Sequence, residues 1–279
     1  MKINLTIGIS DFPLDLLIFD ACIHQKISSD RFLTDIQIQD TFHCNRLTDN
    51  KHFDVCRMSV SAYPYFSEFY QILESGNIIG SDLGPWLIGD KELTRHEINR
   101  TEIIIPDRCS SAATLLKDTY RQALKIKYLE LPEKKINAVN QASLYVLEDR
   151  LRLNKKEKSY IKLNDLGQYW ENSTWLLIPV YCMLVKRNLD EDLKTEVNKF
   201  LQASIQYAIE NKSEVIQSVL QTKKSFSEEK LSQYFDIYFN DNTKILDDKA
   251  RTSILRLLNR TIELESLGDL VEPIWIKNK

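Results

Sequence analysis

Two short segments of this chain carry the residue types that bind an anion. Ser10-Asp11 stands in front of a helix expected over residues 16–27, with Pro13 at its first turn. Ser110-Ser111-Ala112 stands in front of a helix expected over residues 113–124. A helix N-terminus presents N–H groups and the positive end of the dipole, and small hydroxyl side chains there add donors, so both turns suit a carboxylate. The same residues also serve as plain helix caps, which is their commoner use. The four histidines, His24, His43, His52 and His96, show no H-x-x-x-H or H-E-x-x-H spacing, so no metal site is indicated. No G-x-S-x-G elbow, Walker loop or dinucleotide-binding glycine fingerprint is present. The cysteines, Cys22, Cys44, Cys56, Cys109 and Cys182, are odd in number and widely spaced, without C-x-x-C. Reduced, mostly buried thiols are expected, not a disulfide framework.

Elements must bring these turns together. Residues 3–9 alternate as a first strand, followed by the helix over 16–27, strands over 36–41 and 53–59, and a helix over 62–71. Four of the seven glycines, Gly76, Gly80, Gly84 and Gly89, then fall in one stretch that follows the apolar run 69–73 and takes in the run 86–88. The stretch reads as strand, bent turn, strand. Either a ligand approaches the backbone there, or the glycines mark a bulge. A strand over 103–106, the helix over 113–124, a strand over 128–130, a helix over 133–140 and strands over 143–147, 161–166 and 178–185 follow. From Asp190 the pattern is helical, over 191–211, 212–221, 227–238 and 247–267. Such alternation predicts an α/β fold with a mainly parallel sheet. The polar segments 89–101 and 168–177 read as crossings between domains. They divide the chain into 1–98 and 178–279 as one lobe, and 99–177 as an inserted second lobe. A cleft between lobes is a preferred ligand site.

Composition narrows the partners. The chain has 279 residues, 43% hydrophobic and 28% charged, ordinary for a soluble globular protein. With a net charge of −3 and no basic block, nucleic acid is not expected as a partner. Lys155-Lys156-Glu157-Lys158 reads as a solvated turn. No run approaches the ~18 apolar residues of a membrane span, and Met1–Ile9 lacks the long apolar core and cleavage site of a secretory signal. A cytoplasmic protein is expected.

Taken in order, the segments resemble the 1,4-dihydroxy-6-naphthoate synthase family of the futalosine route to menaquinone. The resemblance rests on Ile7-Gly-Ile-Ser10, Pro13, Asp15, Ile18-Phe-Asp-Ala21, His24, Asp54-Val55, Ser59, Ala62-Tyr63, Ser75-Gly76, Gly80 and Gly84-Pro85. It continues through Ile105-Pro106, Ala112, Asp165-Leu-Gly167, Trp170-Glu171, Thr174, Ile178-Pro179 and Tyr207-Ala208. It implies a two-lobed fold like type II periplasmic binding proteins, with the ligand between the lobes. It implies a lyase needing no metal or organic cofactor, which cleaves cyclic dehypoxanthinyl futalosine, so the partner is a small-molecule carboxylate. Ser10, Asp15, Ser59, Ser110, Ser111 and Ala112 would hold that substrate.

The chain departs from the family at informative places. The family's catalytic histidine lies in an I-H-E-x-R-F motif that reads here Val146-Leu147-Glu148-Asp149-Arg150-Leu151, so its position is Leu147. Leucine cannot take a proton. Glu148 and Tyr145 are the alternative bases, although strand alternation points Glu148 away from the side Leu147 faces. Two small family residues are Trp175 and Tyr181 here, expected to crowd the pocket floor. Two readings follow: a divergent synthase with a replaced base, or a catalytically inactive protein on the same scaffold that binds an acidic aromatic metabolite.

Overall fold

The computed structural model describes residues 2–39, 51–129, 143–152 and 160–276. The expectations placed on His43, Cys44, the helix over 133–140 and the charged turn at Lys155–Lys158 lie outside the described residues. Two sheets form. In the first, strand β1 (Ile3–Ser10) is flanked by β2 (Phe32–Gln39) and β3 (Val55–Ser59), both parallel to it. Between β1 and β2 runs the helix Pro13–Ile23, opened by proline and buried over nearly its whole length.

The helix expected over 62–71 does not form. Pro64 sits in a short 3-10 turn, Val60–Tyr65, and β4 (Tyr70–Ile72) follows. Strand β5 (Ile78–Gly80) comes next, while β11 (Ile178–Lys186) inserts antiparallel between β3 and β4 and also pairs with β5. The order β2-β1-β3-β11-β4 is therefore mixed, not mainly parallel.

The second sheet has the order β10-β6-β9-β7-β8. Its strands are β6 (Trp86–Gly89), β7 (Ile103–Ile105), β8 (Ile126–Tyr128), β9 (Leu144–Leu147) and β10 (Ile161–Asp165). The helix Ser111–Thr119 links β7 to β8. The chain thus leaves the first sheet between Gly80 and Trp86, ahead of the expected crossing at 89–101. That polar segment instead holds the helix Arg95–Arg100, fixed by a capping box between Thr94 and Glu97. The return runs through the helix Leu166–Thr174, where the sequence suggested only a crossing.

The two crossings touch. A Cβ added to Gly84 would lie 2.1 Å from the Gly167 Cα, so glycine is required for the backbones to meet. Gly76, with φ +85°, supplies a turn between β4 and β5. These two roles account for Gly76 and Gly84, two of the four glycines in the stretch, without a ligand.

Four helices finish the chain: Glu191–Glu210, Lys212–Thr222, Glu228–Tyr238 and Asp248–Glu265, with a short Asp241–Lys244 turn of helix. The first is tied to the Pro13–Ile23 helix, Ser204 Oγ donating to the Ile18 carbonyl at 2.7 Å. The last packs on the Ser111–Thr119 helix, with a Thr114–Thr261 hydroxyl bond of 3.2 Å and ion pairs Arg260–Asp118 and Lys117–Glu265. Beyond it the chain lies along the edge of β4, where Gln71 Nε2 donates to the carbonyls of Pro273 and Trp275. No disulfide joins the four described cysteines to one another. Burial pushes the Cys22 thiol up to about 12, so it stays an inert core residue.

Candidate functional site

The carboxyl ends of several strands point to one region, as ligand sites of α/β sheets do. β1 ends in Ser10 and β3 in Ser59, while β7 leads to Ser110 and Ser111, and β9 to Glu148. A pocket partly open to solvent lies there between the two sheets. Ser59, Ser110, Ser111, Ala112, Glu148 and Tyr181 line it, with Leu83 and Pro85 from the first crossing.

The helix end is already engaged. Ser110 caps it by accepting from the Ala113 N–H at 3.2 Å. The Ser111 N–H donates to Ser59 Oγ at 2.6 Å, the two hydroxyls lie 2.9 Å apart, and Ser111 Oγ donates to the Val180 carbonyl at 3.0 Å. Three elements are therefore knotted at one point: β3, β11 and the start of the Ser111–Thr119 helix. In that first turn, among the described residues, the Ala112 N–H remains without an acceptor.

Ser10 and Asp15 do not line the pocket. Asp15 Oδ2 accepts from the Ser10 N–H at 2.9 Å and from its hydroxyl, while Oδ1 lies 2.9 Å from Arg57 Nε. Burial, the largest influence, pushes the Asp15 carboxyl up, and Arg57 and Ser10 pull it the other way. Oδ2 is committed to Ser10, and Oδ1 faces Arg57 as an ion pair without a hydrogen bond, so Asp15 positions Ser10 and Arg57. This cluster meets the pocket through Tyr181, whose ring centre is 4.7 Å from the Arg57 guanidinium carbon.

The expected neighbourhood of Leu147 is different. Leu147 packs with Ile88, Ile104 and Tyr145 in an apolar cluster on one face of the second sheet, with Trp86 and Tyr160 against it. Glu148, just past the strand end, lines the pocket instead. Strand alternation does separate the two residues, and it is Glu148 that faces the cleft. Tyr145 shares the Leu147 cluster and does not line the pocket. Tyr181 lines the pocket as expected, but Trp175 does not crowd it: it is 85% exposed.

Two residues were missed in the sequence. Tyr234, from the C-terminal helices, donates from its hydroxyl to Asp149 next to Glu148. Arg57 lies two residues before Ser59 in an apolar strand, a spacing that puts both on one face and could have flagged it. Among the described residues, no group of three or more His, Cys, Asp or Glu could hold a metal ion. No described helix is long and apolar enough to cross a membrane.

The sequence model of the menaquinone biosynthesis family matches residues 5–263. The chain belongs to this family. Relatives include a 1,4-dihydroxy-6-naphtoate synthase of Thermus thermophilus, 24% identical over 256 residues and covering 91% of this chain and 92% of the relative. A protein of the same name from Streptomyces coelicolor is 24% identical over 265 residues, 92% of each chain. Among solved structures, protein AF1704 from Archaeoglobus fulgidus superposes with a TM-score of 0.83 at 22% identity, over 94% of this chain and 98% of that one. The alkanesulfonate-binding protein SsuA from Xanthomonas axonopodis pv. citri, bound to MOPS, gives 0.72 at 12% identity, over 98% and 97%. The protein therefore has the two-lobed periplasmic-binding-protein-like fold, and the pocket described above lies between its two sheets.

Proposed function

We propose that the protein is a lyase that cleaves cyclic dehypoxanthinyl futalosine to 1,4-dihydroxy-6-naphthoate and a sugar-derived fragment, with Glu148 as the base that accepts the substrate's proton. The observation that carries this reading is a carboxylate, Glu148, facing a pocket walled by three serines and a helix N-terminus. A carboxylate within reach of bound substrate can take over proton abstraction from a histidine. The Ser59, Ser110 and Ser111 hydroxyls and the Ala112 N–H would hold polar groups of the substrate, and the helix end would stabilise negative charge as it develops. The near full-length likeness to two proteins named as such synthases supports the same reaction. The reading requires no metal or organic cofactor and assigns the protein to the cytoplasm, a reducing compartment that suits buried thiols.

Purified protein incubated with the futalosine-derived substrate should release the naphthoate at a rate typical of enzymes, about 1 s⁻¹ or more. Glu148→Gln should lower kcat by about 10²- to 10⁴-fold. Binding of the naphthoate without any turnover would favour the inactive binding protein. Full activity of Glu148→Gln would remove Glu148 as the base.

A further inference from the structure

Arg57 is a buried cation with an unused donor. Its side chain is 5% exposed, and its Nη1 is buried without a hydrogen-bond partner. Its one ion pair among the described residues is single-ended: Nε approaches Asp15 Oδ1 at 2.9 Å without forming an aligned hydrogen bond. The guanidinium fork, which matches a carboxylate two bonds at a time, is therefore not spent on Asp15. Buried polar groups are almost always satisfied, so an orphaned charged donor beside a pocket calls for an explanation.

Strand register gives its direction. Arg57 and Ser59 share a face of β3, and β11 places Met183 opposite Arg57 and Tyr181 opposite Ser59. Ser59 and Tyr181 both line the pocket, and the Tyr181 ring lies over the guanidinium. At the helix end, by contrast, the Ser111 N–H is already taken by Ser59. A full positive charge behind the Tyr181 ring that lines the cleft is also a stronger anion partner than one remaining N–H.

We propose that Arg57 binds the carboxylate of the ligand, Asp15 holding the guanidinium in place and the Tyr181 ring acting as a cover that swings off it when the ligand enters. This rests on the lyase reading for the identity of the ligand, but its test does not need turnover.

The test compares 2-naphthoate with its neutral isostere 2-naphthamide by calorimetry on the full chain. Wild type should prefer the carboxylate by roughly 10- to 100-fold, the worth of a hydrogen bond to a charged group. Arg57→Met should bring the ratio to about 1, and Arg57→Lys should keep part of it. Because Arg57→Met leaves Asp15 buried opposite an apolar side chain, the double variant Asp15→Asn/Arg57→Met removes both charges, and it too should lose the preference. A purely structural Arg57 would lower the affinity for both probes alike and leave their ratio unchanged. That result, or a wild type that binds neither probe or does not discriminate, overturns the assignment. A ratio that depends on Arg57 in a protein without turnover keeps the assignment and sinks the lyase reading. Turnover with an unchanged ratio in the variants does the reverse.

Discussion

Asp54 ties β3 to both of its neighbours. Its Oδ2 accepts from the Thr6 N–H and the Thr6 hydroxyl, each at 2.9 Å, and Oδ1 pairs with Lys186 Nζ at 2.9 Å. Burial pushes this carboxyl up, but the Thr6 bonds and Lys186 outweigh it and hold it below the usual carboxylate range. A carboxyl depressed in the folded state adds stability above its unfolded pKa and loses it as the pH falls through the folded value. Asp54→Asn should therefore cost about 1.5–3 kcal/mol near neutrality, with the gap to wild type closing as the pH is taken down toward about 2. Melting curves across that range check it, and a pH-independent gap would contradict it. The same scale shows why the site was half legible. Every residue of β9, Leu-Tyr-Val-Leu, is buried, so no polar alternation marks which face is which. The cleft is met at the strand's end, by Glu148, and only the fold reveals where that end points. The spacing of Arg57 from Ser59 was visible, but its place behind Tyr181 needed the pairing of β3 with β11, two strands far apart in sequence.

The helix Leu166–Thr174 ends on Trp175, with φ 60° and ψ 21°, its N–H donating to the Glu171 carbonyl at 2.8 Å. A left-handed conformation costs an L-residue roughly 1–2 kcal/mol, and glycine is exempt. The indole is 85% exposed, so little packing offsets that cost. Trp175→Gly should raise stability by about 1 kcal/mol, roughly 2–4 °C in melting temperature for a chain of this size. An unchanged or lower melting temperature would mean that the indole contributes something its exposure hides. Most strands and the C-terminal helices were readable from apolar spacing. The helix over 62–71 failed because Pro64 interrupts it and because Tyr70–Ile72 finds a partner in β11. The Arg95–Arg100 helix was legible in Thr94-x-x-Glu97, a capping signal hidden in a segment taken for a crossing.

For the whole molecule, the two-lobed plan was visible in the family resemblance and in the presence of two crossings. The contact between those crossings was not, because backbone proximity leaves only the word glycine in the sequence. Around Gly84 and Gly167 the nearest atoms include the other's backbone, at 2.1 and 2.4 Å from an added Cβ, so no flexible side chain can yield. Gly84→Ala should cost about 1–3 kcal/mol, as overpacking does, and should change the spacing of the lobes. Gly268, with nothing within 4 Å of its position, is the control: Gly268→Ala should be nearly neutral. Melting temperature and small-angle scattering of the two variants decide this, and a Gly84→Ala protein indistinguishable from wild type in both would refute it.

The place of β11 also sets a timetable for synthesis. It lies inside the first sheet, between β3 and β4, yet a ribosome delivers it after all five strands of the second. Met183, which donates its N–H to Asn77, emerges 106 residues later than its partner. At 5–20 residues per second that is a wait of about 5–20 s. Through that interval β3 and β4 lack the strand that joins them, while β6 to β10 already have one another. The inserted second sheet is thus the part that can fold while translation continues, and the first sheet, which begins the chain, must finish around it.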